Sequence, residues 1–196
     1  MIAPQFRLGL REMAFVPRWG IARVTRKPSV AEHSYYVAQY ADAIADIVEY
    51  EGDRAALLRW ALWHDADEIV TGDIPGPIKR ALRTEFTADL SLSMYVDDLM
   101  SKHFGPKGQA ITNPSLWDAK ATKIIKMADM LDDCMFLCEQ TRGGNTWVER
   151  VYDQVRHRLF RSVIDMRLSS KTEAALREEL ALALNDALAG QPVIPE

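Results

Sequence analysis

In the stretch ATKIIKMADMLDDCM, residues 121–135, Ala121, Ile124, Ile125, Ala128, Leu131 and Met135 recur at intervals of three and four. That is the period of one face of an α-helix. The same rhythm fills long segments elsewhere in the chain, and no run alternates cleanly as a half-buried strand would. The expected fold class is therefore all-α, a single-domain helical bundle. A length of 196 residues suits one domain spanning 1–196 and suffices to bury a real core. With 48% apolar and 27% charged residues the composition is that of an ordinary globular protein.

Punctuation residues divide the bundle. A first helix is expected over about residues 5–15, followed by a basic connector, FVPRWGIARVTRKPS, broken by Pro17 and Pro28. Ser29 with Glu32 three residues on reads as a capping box, so His33 falls in the first turn of a helix carrying Val37, Ala41, Ile44 and Val48. Asp53 is expected to cap a helix with the face Leu57, Leu58, Ala61 and Leu62, leading to His64 and Asp65. Gly72, Pro75, Gly76 and Pro77 force a loop. A helix over about 78–103 follows, then the long one opened by Ser115 and Asp118 and closed by RGGN at 142–145. Helices over about 146–168 and 171–189 complete the body, the last with Ser170 and Glu173 as its capping box; the tail QPVIPE reads as loose.

The longest apolar runs are too short for a membrane span, and neither a signal peptide nor a transmembrane helix is expected. A net charge of −4 speaks against a general nucleic-acid binder while leaving room for a local basic pocket. Cys134 and Cys138, four apart on a helix, read as reduced core thiols in keeping with a cytoplasmic setting.

Chemistry concentrates in a few residues. The four histidines are His33, His64, His103 and His157; His33 opens a helix, and His64 precedes Asp65 near the end of another. Asp129 lies on the inward stripe of the long helix. Two imidazoles and two carboxylates suit one divalent cation with open positions for water or substrate. Each residue alone also reads as a capped, surface or salt-bridged side chain.

The order His33, His64-Asp65, Asp129 resembles the metal-binding signature of the HD-domain phosphohydrolases, an all-helical superfamily. The segments RWGIARVTRKPSVAEHS, WHDADEIVTGDIPGPIK and IIKMADMLDD resemble more closely the subgroup of bacterial 5'-deoxynucleotidases and phage dATP triphosphohydrolases, over roughly residues 15–145. The resemblance implies His33, His64, Asp65 and Asp129 as ligands of one divalent ion, among Co, Mn, Zn, Mg and Ni. It implies Glu68 as acid/base and Asp73 near sugar or reacting water. If the helix persists past Asp65, Glu68 shares its face. Arg18 and Lys79 become phosphate-binding candidates, with Lys126 a weaker one. Trp19 is the expected wall against deoxyribose, and Ile21 and Pro77 the contacts to the base edge. Asp67 reads as a solvated acid.

The function implied is hydrolysis of phosphate from 2'-deoxynucleotides, first as a phage-type dATP phosphohydrolase and alternatively as a 5'-deoxynucleotidase acting on monophosphates. A non-catalytic nucleotide-binding helical module is the reading from another class. Expected partners are a small deoxynucleotide and further copies of the chain in a homo-oligomer, with no nucleic acid and no membrane.

Overall fold

The computed structural model describes residues 10–78, 98, 102 and 117–190, and regular structure among them is helical, apart from an isolated bridge pairing Pro17 with Ser29. The helices are α1 (Val30–Ile47), α2 (Arg54–Trp63), α3 (Glu68–Thr71), α4 (Ala119–Arg142), α5 (Glu149–Asp165) and α6 (Ser170–Ala189). Short 3-10 turns, Leu10–Phe15 and Thr146–Val148, precede α1 and α5. The expected helix over 5–15 is thus 3-10 in its described part. Of the helix expected over 78–103 only residues 78, 98 and 102 are described, each of them helical, and Gly76 and Pro77, expected in the loop, are helical as well; Ser115, Lys79, His103 and the tail lie outside the described residues.

Capping chemistry fixes where the helices begin. Ser29 Oγ accepts the Glu32 N–H at 3.1 Å, but the Glu32 carboxylate is taken by Arg26 at 2.7 Å, so the capping box is only half formed. Asp53 caps α2 by accepting the Ala56 N–H. Asp118 is itself the cap of α4, accepting from Lys120, rather than the third residue of a box opened by Ser115. Ser169, not Ser170, caps α6, and Glu173 pairs with Arg177 instead. At the far ends Gly144 and Gly190 adopt φ of 85° and 74°, the left-handed region that ends a helix at little cost for glycine.

The long helix is central. Twelve of its residues are buried, among them Ile124, Met127, Leu131, Cys134 and Leu137, as expected for a helix that is apolar on most sides. Against it pack Val37, Ala41 and Ile44 of α1, Leu57 and Ala61 of α2, Leu159 and Val163 of α5, and Leu176, Leu180 and Leu184 of α6. Truncating a fully buried leucine such as Leu137 costs about 2–5 kcal/mol. On α2 only half of the expected face is inside, since Leu62 is exposed while Trp63 is buried. Both cysteines are free and buried, as expected. A smaller cluster of Met13, Val30, Trp63 and Ala66 ties the first 3-10 turn to the start of α1 and the end of α2.

The basic connector is pinned at several points. Arg18 N–H donates to Pro28 O at 2.9 Å and Val30 N–H to Val16 O at 2.9 Å, laying Arg18 beside the start of α1. The buried Gln140 of α4 accepts from both the backbone N–H and hydroxyl of Thr25, at 2.7 and 2.9 Å. Asn145 donates to Arg23 O at 2.7 Å.

Candidate metal centre and cavity

His33 enters from the first turn of α1, His64 from the end of α2, and Asp129 from the middle of α4. One ligand atom from each lies within 4.8 Å of the others, a group able to hold a metal ion. The Nε2 atoms of His33 and His64 stand 3.2 Å apart. Asp129 Oδ1 is 3.3 Å from His33 Nε2, and Asp65 Oδ2 is 3.4 Å from His64 Nε2 and 3.6 Å from His33 Nε2. Both Nδ1 atoms point away: that of His64 toward Ala61 O at 2.7 Å, that of His33 toward Asp132 Oδ2 at 2.6 Å. When both rings are neutral with the proton on Nδ1, each Nε2 lone pair faces inward, the tautomer a metal ligand requires. The donor set of two imidazoles and carboxylates fits a divalent ion.

Electrostatics bind the cluster together. Burial opposes ionisation of Asp65, yet His64, Arg18 and His33 hold its carboxyl well below the usual carboxylate range. Asp129 is lowered likewise, its burial offset by His33 and His64. For His33, burial and the neighbouring Arg18 push its pKa down, but Asp129 and Asp132 outweigh them and carry it up to about 9.

Arg18 is buried. It donates from Nη1 to Asp65 at 2.7 Å and from Nη2 to Asp133 at 3.1 Å, and lies 4.0 Å from Asp129. Burial disfavours its charge, but Asp133, Asp65, Asp129 and Glu68 raise its pKa further still. Burial also pushes the Asp133 carboxyl up to about 6 against the pull of Arg18.

The helix does not persist past Asp65. Residues 64–67 form turns, with Glu68 N–H bonded to Asp65 O at 3.1 Å, and a new helix begins at Glu68. The expectation that Asp65 and Glu68 share one helix face therefore fails. Glu68 is nevertheless 1% exposed, and its charge is felt by Arg18. Asp67 is half-buried rather than solvated.

Beside this cluster lies a cavity of about 270 Å³ lined by Arg18, Trp19, Ile21, Asp73, Pro77 and Asp133, among others. Asp73 Oδ2 accepts the Trp19 N–H at 2.8 Å, and the Trp19 ring stacks on Phe136 with centroids 5.6 Å apart. Ile21 and Pro77 are exposed at the rim. Lys126 is exposed on α4 and does not line the cavity. Lys79 lies outside the described residues.

Sequence reasoning missed two residues, Asp132 and Asp133. Both stand in the quoted MADMLDD run, three and four positions after Asp129, a spacing that sets side chains on the same side of a helix. That spacing was the available signal.

Comparison with known proteins agrees with this architecture. Residues 5–170 match the family model described as 5'-deoxynucleotidase YfbR-like. The 5'-deoxynucleotidase YfbR of Salmonella paratyphi B is 31% identical over 150 residues, covering 69% of this chain and 72% of that protein. Among solved structures, the cyanophage S-2L HD phosphohydrolase DatZ, bound to dA and one catalytic Zn2+ ion, superposes with TM-score 0.67 at 19% identity, covering 92% of this chain and 94% of that one. An HD-domain phosphohydrolase from Listeria innocua gives TM-score 0.66 at 19% identity, covering 95% of this chain and 91% of that one. These structural likenesses establish the HD fold.

Proposed function

The chain belongs to the YfbR-like 5'-deoxynucleotidase family, a family of hydrolases, and from that premise we propose that it hydrolyses the phosphate ester of 2'-deoxynucleoside 5'-monophosphates in a metal-dependent reaction. The observation that carries the proposal is the convergence of His33 Nε2, His64 Nε2 and an Asp129 oxygen within 4.8 Å, next to a cavity walled by Arg18 and Trp19.

In this reading His33, His64, Asp65 and Asp129 hold one divalent ion. When bound, such an ion supplies an activated water and offsets charge on the phosphoryl oxygens. Glu68, enclosed near the cluster, takes and returns the proton. Asp73 serves the sugar and the reacting water. Arg18 offers its guanidinium to phosphate oxygens as its contact with Asp65 loosens, with Lys79 and Lys126 adding positive charge. Trp19 closes off the side where a ribose would carry a 2'-hydroxyl. Assembly of copies through α5 and α6, whose Ile164 and Leu182 are exposed, belongs to the same reading and is checked by light scattering.

In a second reading, removal of the phosphates of dATP, Ile21 and Pro77 at the cavity rim meet the adenine edge. A panel of dAMP, dADP, dATP, the other deoxynucleoside monophosphates, AMP and ATP separates the two. Turnover of monophosphates alone supports the first reading. Turnover of dATP alone moves the assignment to the second, and equal rates on AMP and dAMP remove the deoxyribose claim. A metal-loaded chain that binds dAMP and turns over none of the panel is the non-catalytic module.

A further inference from the structure

We propose that Asp132 is a positioning residue of the metal centre, acting through the imidazole of His33. The inference rests on the metal-dependent reading above. His33 is 1% exposed, and its ring is gripped at both nitrogens by one helix. Asp129 stands 3.3 Å from Nε2 and Asp132 2.6 Å from Nδ1, so α4 holds the α1 histidine from both sides. The three-residue interval between the two acids matches the helix repeat, which lets one rigid element address both nitrogens.

The two histidines are not held alike. His64 donates from Nδ1 to a neutral backbone carbonyl within its own helix, Ala61 O at 2.7 Å. His33 donates to a carboxylate ninety-nine residues away in sequence. A carboxylate acceptor fixes the ring orientation and the Nδ1–H tautomer, and it also feeds electron density to Nε2, making His33 the stronger donor of the pair. The side chain of Asp132 is 14% exposed and also borders a separate cavity of about 230 Å³ behind the centre, with Tyr36, Tyr40 and Phe136. It is not among the residues lining the cavity walled by Arg18 and Trp19.

The test is metal affinity in the absence of any substrate. Purified chain, freed of metal with a chelator, is titrated with Zn2+ and with Co2+ in competition with a chromophoric chelator. Asp132→Ala is expected to weaken binding by about 10- to 100-fold, the usual cost of removing such a partner. Asp132→Asn, which keeps an acceptor and loses the charge, is expected to fall between Asp132→Ala and wild type and to shift the visible Co2+ spectrum. Glu139→Ala, the same charge change on an exposed part of α4, is the control and should bind as wild type does. Helix content by circular dichroism is followed in every variant, and Asp132→Asn carries the test if Asp132→Ala does not fold. Wild-type affinity in Asp132→Asn, with an unshifted spectrum, overturns the role of Asp132 alone. A wild-type chain that takes up neither ion overturns the metal reading itself and the positioning role with it.

Discussion

The carboxylate of Asp73 accepts the backbone N–H of Trp19 at 2.8 Å, fastening the loop after α3 to the connector before α1 across 54 residues of sequence. Asp73 thus has a structural bond as well as its proposed place near sugar and water, and two substitutions separate the roles. Asp73→Asn retains an acceptor for Trp19, so its melting temperature should stay close to wild type while kcat falls by about a hundredfold or more. Asp73→Ala also strands the N–H, at a cost of about 1–3 kcal/mol. Equal stability losses with unchanged kcat in both would leave Asp73 as a bracket only.

Glu68 is expected to separate binding from turnover. Replacement by Gln preserves volume at a position 1% exposed and removes the exchangeable charge. The kcat on dAMP should drop about a hundred- to ten-thousandfold, while Zn2+ stoichiometry, measured by metal analysis after gel filtration, stays at the wild-type value. Undiminished kcat would assign the proton transfer to another group.

Much of this arrangement was legible in residue order alone. The apolar period of residues 121–135 gave the central helix because α4 is buried on most sides and its pattern answers to a single packing environment. Ser29 and Asp53 were readable as caps because capping is local. The break after Trp63 was not, since it is made by i to i+3 bonds in residues 64–67 and by the packing of Trp63 and Ala66 against Met13 and Val30. Gln140 gave no sign of anchoring Thr25, and Asp133 none of holding Arg18, because both partners are 115 residues distant and meet only when α4 packs on the connector.

The pH response of the metal-free chain follows from His33. Its folded pKa of about 9 lies above the ordinary 6.5, so protonation favours the folded state. The resulting stability is complete below about pH 6.5 and drains away as pH rises toward 9. Melting temperatures of chelator-treated protein should therefore decline across that window. Metal uptake has the opposite sign, because a ligating imidazole must be neutral: affinity rises over the same range and protons are released on binding. Calorimetric titration in two buffers of different ionisation enthalpy measures that release, and identical heats in both would contradict it.

Trp19 offers the sharpest test of substrate choice. Its backbone sits at φ 61°, a region that residues other than Gly, Asn and Asp seldom visit and that costs roughly 1–2 kcal/mol. The strain is held by the Asp73 contact to its N–H and by the stack on Phe136, with planes 25° apart. These restraints fix the indole as a rigid cavity wall, and a rigid wall can reject one added hydroxyl where a mobile one would yield. Apolar pockets discriminate against such an addition by about a hundredfold. Trp19→Ala should therefore lower kcat/KM on dAMP mainly through KM, and reduce the preference for dAMP over AMP by about tenfold or more. Trp19→Gly should match it in selectivity and equal or exceed it in melting temperature, since glycine relieves the left-handed strain that alanine keeps. If both variants lose dAMP and AMP turnover in equal proportion, the indole positions the nucleotide without sensing the sugar, and the preference for deoxyribose must come from another part of the cavity.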